Sequence, residues 1–430
     1  HEMKYLPIEN NLFVENREKL FKKLTPNSLA IFNSNDIMPT NSDGTMPFKQ
    51  NSDLFWLSGI DQEDSLLVLS NFNGQNHSTL FLKETSELIA IWEGAKLSKK
   101  EALSVSGIQD VCWLNECEKK LEIMLNNSDV VYLNKNIHAR CTSEVETRDD
   151  RFKKNIIKNY PESNIQEVAP IMHELRSIKS NIEVLLMKNA CDITEKGFRR
   201  ILSFISPGVM EYEIEAEIIH EFIKNRSRGF AYEPIIGSGK NSCILHYTSN
   251  DQKCCDGDIL LMDFGAEYAN YASDLTRTVP VNGQYSDRQK SVYNSVLKVM
   301  KEATTMLREG TIFKNYNDEV GKIMESELIK LKLLDRHDVA KQDRKNPLYK
   351  KYFMHGTSHY LGLDVHDVGS FEYPMKNGMV FTCEPGIYIP EESLGIRIEN
   401  DVLITEDGPE NLMKNIPVEV EEIEDLMNNN

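Results

Sequence analysis

The chain has 430 residues, 40% of them hydrophobic, and carries 67 acidic against 49 basic side chains for a formal net charge of −18. That length exceeds the roughly 250–300 residues at which a single core stops growing, so two domains are expected. The acidity speaks against nucleic acid and anionic membranes as partners, because phosphate binding needs basic patches. There is also no run of about 18 apolar residues that would span a bilayer.

His1-Glu2 read as a tag remnant before a natural start at Met3, and "MKYLPIENNLFVENREKL" lacks the apolar stretch of a secretory signal. The eight cysteines (Cys112, Cys117, Cys141, Cys191, Cys243, Cys254, Cys255 and Cys383) contain no C-x-x-C pair. The vicinal Cys254-Cys255 would bridge only with strain, so reduced thiols in a cytoplasmic protein are expected.

Over the first ~170 residues short apolar runs alternate with helical patterns. Strands are expected at 28–34, 65–71, 78–84 and 129–134, and helices at 98–105 and 118–125, which describes an α/β layer domain. The stretch 161–180 reads as the crossing into a second domain. Ser180 and Glu183 form an S-x-x-E capping box that opens a helix expected to stop at Pro207-Gly208. "EYEIEAEIIHEFIKN" starts another amphipathic helix, whose acidic residues are expected to form a solvated face. "IIGSGKNS" mimics a phosphate loop, but Pro234 and Asn241 occupy the first glycine and the hydroxyl positions, so a tight turn is expected. Further helices are expected at 287–308 and 315–331, followed by a polar connection at 335–351.

"DILLMDFGAEYANYASDLTRTV" (258–279) reads as two apolar strands joined near "YAN", each with one embedded aspartate. Asp263 and Asp274 are eleven apart, and across a two-residue hairpin loop an odd separation puts both on one face. "GMVFTCEPGIYIP" and "LGIRIENDVLIT" repeat the arrangement with Glu384 and Glu399, fifteen apart. Four carboxylates on apolar hairpins need cations beside them. Two divalent ions balance them in formal charge, and carboxylate-rich ligation suits Mn²⁺. A nitrogen ligand is expected from "MHGTSHYLGLDVHDVG", which holds His355, His359 and His366, three of the chain's ten histidines. His355 and His359 are spaced like a zinc-binding H-E-x-x-H helix. However, Gly356 follows His355 where that motif has glutamate, and the run is too glycine-rich for a helix.

In order, Asp263, Asp274, His359, Glu384 and Glu399 resemble the five-ligand set of the creatinase and methionine-aminopeptidase superfamily. The flanks "ILHYTSN", "EPGIYI" and "GIRIEND", with "FKQNSDLFWLSGIDQEDSLLVL" and "IWEG" nearer the start, resemble the Xaa-Pro aminopeptidase (aminopeptidase P) branch. The resemblance implies a creatinase-like α/β domain over 3–172 and a pita-bread catalytic domain over 173–430. It implies two divalent ions, with Asp274 and Glu399 bridging, Asp263 completing one metal, and His359 with Glu384 completing the other. A metal-bridging water or hydroxide would be the nucleophile, and Glu384 would relay its proton. His246 and His366 would bind substrate and stabilise the oxyanion, while His355, Tyr388 and Arg397 would contact substrate. A structural ion pair of Arg397 with Asp263 is the other reading. If 355–366 runs extended, His355 and His359 share a face and His366 returns to the cleft only through a bend, for which Gly362 is placed.

The substrates implied are peptides beginning Xaa-Pro, and a homodimer or homotetramer is expected. Trp92 matches a position where a neighbouring subunit approaches the active site, although a core role is the alternative. Prolidase, restricted to Xaa-Pro dipeptides, is the nearest rival; Ser358 stands where prolidases more often have glycine. A non-catalytic pita-bread binding module is the remote alternative, and such modules have lost the ligands that this chain retains.

Overall fold

The computed structural model describes residues 4–135, 138 and 140–429, so the expected tag remnant His1-Glu2 lies outside the described residues. The chain divides into two compact units, His1–Arg176 and Ser177–Asn430.

The first unit is built on a six-stranded sheet. Its strands are β1 (Ser28–Asn33), β2 (Leu66–Ser70), β3 (His77–Leu82), β4 (Asp110–Trp113), β5 (Val130–Leu133) and β6 (Ile165–Glu167), in spatial order β4-β3-β2-β1-β5-β6. The β1–β2 and β2–β3 pairs are antiparallel; β3–β4, β1–β5 and β5–β6 are parallel. Every residue of β1 and β2 is buried, the pattern of strands covered on both faces. The expected helices are present as Lys99–Ser106, with a Ser98/Glu101 capping box, and Cys117–Asn127. Ser52–Ser58 adds another helix, started by the Asn51 side chain and ended by Gly59 at φ 70°.

In the second unit the capping box of Ser180 and Glu183 opens the helix Asn181–Leu202. That helix closes before Pro207-Gly208, because Phe204 and Ile205 already turn back onto the Ile201 carbonyl. The helix Glu211–Lys224 follows, and here one expectation is corrected. Glu211 is not part of a solvated face but fully buried. Its carboxylate accepts from the Ser238 backbone N–H and hydroxyl, Tyr247 Oη and the Gln252 N–H, at 2.6–2.9 Å. A helical period marks which face is polar but says nothing of a partner that arrives from elsewhere in the chain.

The strands β7 (Ile235–Ser238), β8 (Ile259–Phe264), β9 (Glu267–Tyr268), β10 (Tyr271–Ala272) and β11 (Leu275–Pro280) come next. The stretch read as a tight turn leaves β7 as a short 3₁₀ helix, Gly239–Cys243. β8 and β11 pair antiparallel with Thr276 opposite Asp263, and β9–β10 continues that register to a two-residue loop at Ala269-Asn270, both at positive φ. The strands approach most closely at Gly265, without a shift in register. A Cβ there would lie 1.9 Å from the Ser273 carbonyl oxygen, so only glycine allows the strands to close at that point.

After the helices Asp287–Thr305 and Phe313–Lys330, β12 (Val380–Cys383), β13 (Gly386–Ile389), β14 (Leu394–Arg397), β15 (Asn400–Thr405) and β16 (Gly408–Asn411) complete the unit. β12–β15 and β13–β14 share one register, which sets Glu384 opposite Glu399. The two hairpins meet at an antiparallel bridge between Thr276 and Glu399. No helix among the described residues is long and apolar enough to cross a membrane.

Candidate metal centre

The pairings above lay Asp263, Thr276, Glu399 and Glu384 in one row across four strands. Paired residues of antiparallel strands point to the same side. Asp274, two residues before Thr276, joins that side as the diagonal neighbour of Asp263. The motif around His359 runs extended beside β12, with Thr382 N–H donating to the His359 carbonyl and Glu384 N–H to that of Thr357. His359 is therefore diagonal to Glu384. Among the described residues, one donor atom each from Asp274, His359, Glu384 and Glu399 lie within 4.8 Å of one another. Asp263 stands beside this group. Tyr232 Oη contacts Asp263 Oδ1 at 2.6 Å and Asp274 Oδ1 at 2.7 Å, while Asp263 Oδ2 takes 2.8 Å from Arg397.

The donor set fits divalent cations on three counts. His359 Nδ1–H donates to the Tyr360 carbonyl at 2.8 Å, which turns Nε2 toward Asp274 (3.3 Å) and Glu384 (3.6 Å), the orientation a metal-binding imidazole needs. Glu399 Oε2 is buried with no hydrogen-bond partner. Finally, Tyr232 has one proton for two carboxylates, so one of its two short contacts is uncompensated unless positive charge lies beside the acids.

The electrostatics agree. Burial, then the Asp274 charge, pushes Asp263 up to about 7. Burial followed by Asp274 and Glu384 raises Glu399 well above the carboxylate range. Burial also pushes Glu384 up, but its contacts with Glu399 and His359 outweigh that and hold it low. His359 is driven down by burial and, more strongly, up by Asp274 and Glu384. In metal-free protein, Asp263 and Glu399 thus keep protons that the unfolded chain releases near pH 4. The folded state binds more protons, so its stability is expected to fall as pH rises from about 4 through 7. Bound divalent metal replaces those protons and should flatten the fall. Melting temperature against pH, with and without metal, checks this, and equal slopes would contradict it.

A second group adjoins the first. Arg397 Nη1 donates to Tyr388 Oη (2.8 Å), which donates to His355 Nε2 (2.7 Å), and His355 Nδ1–H reaches the Gly356 carbonyl (2.8 Å). This chain fixes His355 as a neutral imidazole, in line with burial lowering its pKa. Phe353 meets the His355 ring edge-on at 5.0 Å. His246 is exposed in a turn between the 3₁₀ helix Gly239–Cys243 and β8. His366 is exposed and stacks on His359, ring centres 4.2 Å apart and 11° from parallel. The ion pair of Arg397 with Asp263 is present, and the same guanidinium supports Tyr388. Trp92 is 81% exposed on the helix Glu87–Glu93, so the core alternative for it does not hold.

Sequence reasoning passed over three side chains. Thr276, whose hydroxyl donates to Glu399 Oε1 at 2.8 Å, and Asp401, whose Oδ2 accepts the Asp274 N–H at 2.9 Å, each lie two residues along a strand from a chosen acid. Period-two alternation would have found both. Tyr232 sits outside the strands and gives no such signal.

The model of metallopeptidase family M24 matches residues 185–406, and that of the aminopeptidase P N-terminal domain matches residues 13–132. The chain belongs to metallopeptidase family M24. Among M24 relatives it is 36% identical over 434 residues to the Xaa-Pro aminopeptidase of Escherichia coli K12, covering 98% of each chain. The solved aminopeptidase P from E. coli with the inhibitor Pro-Leu superposes with a TM-score of 0.88 at 34% identity, over 98% of this chain and 99% of that one. Proline aminopeptidase P II from Yersinia pestis gives 0.87 at 33% identity, over 98% and 100%. As an M24 member the chain carries the expected α/β N-terminal domain followed by a pita-bread catalytic domain, and it is a metallopeptidase that depends on divalent metal.

Proposed function

We propose that this protein releases the first residue from peptides whose second residue is proline. The observation that carries the reading is the row of acids beside His359, with the half-buried ring of His355 a short step away. Asp274 and Glu399 would lie between two metals, Asp263 on one, and His359 with Glu384 on the other. Mn²⁺ suits so many carboxylates. When bound, such ions supply Lewis-acid polarisation of the scissile carbonyl and a lowered pKa for the attacking water.

The chain's own residues supply the rest. Glu384, held ionised at the edge of the cluster, accepts the water's proton and passes it to the leaving amine. His366 and His246 hold the substrate carbonyl as it becomes an oxyanion. His355, kept neutral and oriented by Tyr388, packs against the pyrrolidine ring, and Arg397 fixes Tyr388 from behind. The bond before proline has no N–H for a peptidase to grip, so shape must replace that contact. The Pro-Leu inhibitor of the E. coli relative begins with proline, as the product of such a cleavage would.

The same reading assigns residues 3–172 and 173–430 to the two domains and places the protein in the cytoplasm, in keeping with eight free cysteines. It makes the enzyme a homodimer or homotetramer, with exposed Trp92 directed at a neighbouring subunit. The test is hydrolysis of matched Xaa-Pro and Xaa-Pro-Xaa peptides by chelated and then Mn²⁺-reconstituted protein. Metal-dependent release of the first residue from the tripeptide is expected. Cleavage of the dipeptide alone would make the enzyme a prolidase, and cleavage of neither by metal-loaded protein would make it a binding module.

A further inference from the structure

All three histidines of the stretch 354–369 have a part in the proposed reaction, whereas Asp367, next to His366, has none. Its carboxylate is paired with Lys179, Nζ to Oδ2 3.1 Å, and both side chains are 1% exposed. Lys179 directly precedes Ser180, the N-cap of the helix Asn181–Leu202, and its backbone N–H donates to the Gly378 carbonyl. A rigid helix start is therefore tied through a buried ion pair to the residue after His366.

The bend is shaped around that pair. A Cβ at Gly362 would lie 2.3 Å from Asp367 Oδ2 and 3.0 Å from Lys179 Cε, so glycine is needed there for the room it leaves. The Gly362 carbonyl accepts from Ala272 N–H, and Asp367 N–H returns to the Tyr360 carbonyl. Two backbone ties and one ion pair thus hold both ends of the turn that carries His366. Apolar side chains of similar volume commonly serve stability as well as a buried ion pair or better, whereas charges fix a direction. The exposed imidazole of His366 stacks over His359 from the stretch of backbone that this turn sets.

We propose that the Lys179–Asp367 pair positions His366, pinning the bend so that the imidazole stays over His359 and faces the substrate carbonyl. This rests on the role given to His366 above. Lys179 and Asp367 touch no reacting atom in this scheme; they act through their neighbour.

The test is a double-mutant cycle on the metal-reconstituted full-length enzyme. Asp367→Asn is made in the native and in the His366→Ala background. Lys179→Met/Asp367→Asn is made in both as well, because the single change leaves a buried lysine uncompensated and can unfold the protein. In the native background kcat should fall by on the order of 10²-fold, the scale of a misplaced group, with both metals retained. In the His366→Ala background the same changes should cost less than about twofold, since the group they position is gone. A crystal structure of the double variant should show the His366 ring displaced from His359. Equal losses in both backgrounds, or full turnover with both charges removed, would overturn the positioning role alone. Full turnover by His366→Ala itself would overturn both this inference and the role of His366 on which it rests.

Discussion

Glu399→Ala is expected to abolish turnover and metal binding together. Glu399 is fully buried where the two hairpins meet, opposite Glu384 and bridged through its backbone to Thr276. One of its carboxylate oxygens takes the Thr276 hydroxyl and the other is buried with no hydrogen-bond partner, which leaves that oxygen available to a cation. Removing it opens both proposed metal positions at once and leaves Asp274 and Glu384 without the shared ligand. Asp274→Ala should behave alike, because Asp274 lies within reach of His359 and of Glu399. Metal content by elemental analysis, taken beside activity, checks both. A variant that retained two tightly bound metals would sink the bridging assignment. The folded state itself should survive, since the substitution removes a carboxylate that burial and like charge disfavour.

His366→Ala, by contrast, should cut kcat by on the order of 10²–10³ while leaving metal content intact, the usual cost of one oxyanion donor. The stacking of its ring on His359 brings it to the metal cluster without making it part of the donor group. His355→Ala should act differently again, raising KM for proline peptides through loss of a ring held by Tyr388 and Phe353. Loss of metal from His366→Ala would mean that the roles of His359 and His366 had been exchanged. The three histidines look like one cluster in the sequence. The structure separates them into one that faces the acids, one that faces Tyr388 and one that comes back over the bend.

Much of this was legible from spacing. The odd separations of Asp263 from Asp274 and of Glu384 from Glu399 required a shared face, and they have one. Spacing could not tell the diagonal pair from the directly opposed pair, because that depends on loop length at each tip. The bend at Gly362 was also legible, although its reason was not. Glycine serves there to clear Asp367, a contact that no local rule anticipates. The buried state of Glu211 was misread for the same reason, since its donors come from residues 238–252.

Alternation and short-range register, which belong to a strand and its own turn, were enough for the two apolar hairpins with their four acids, whereas the pita-bread fold and the choice of His359 among three histidines came from the family resemblance. The tertiary structure alone decided that the hairpins join at Thr276 and Glu399, that Tyr232 and Asp401 stand against the acids, and that Lys179 reaches Asp367 from the start of a distant helix. Those contacts close loops of a hundred residues or more in several cases, and they are set by which surfaces pack together, a quantity that no periodicity in the chain encodes.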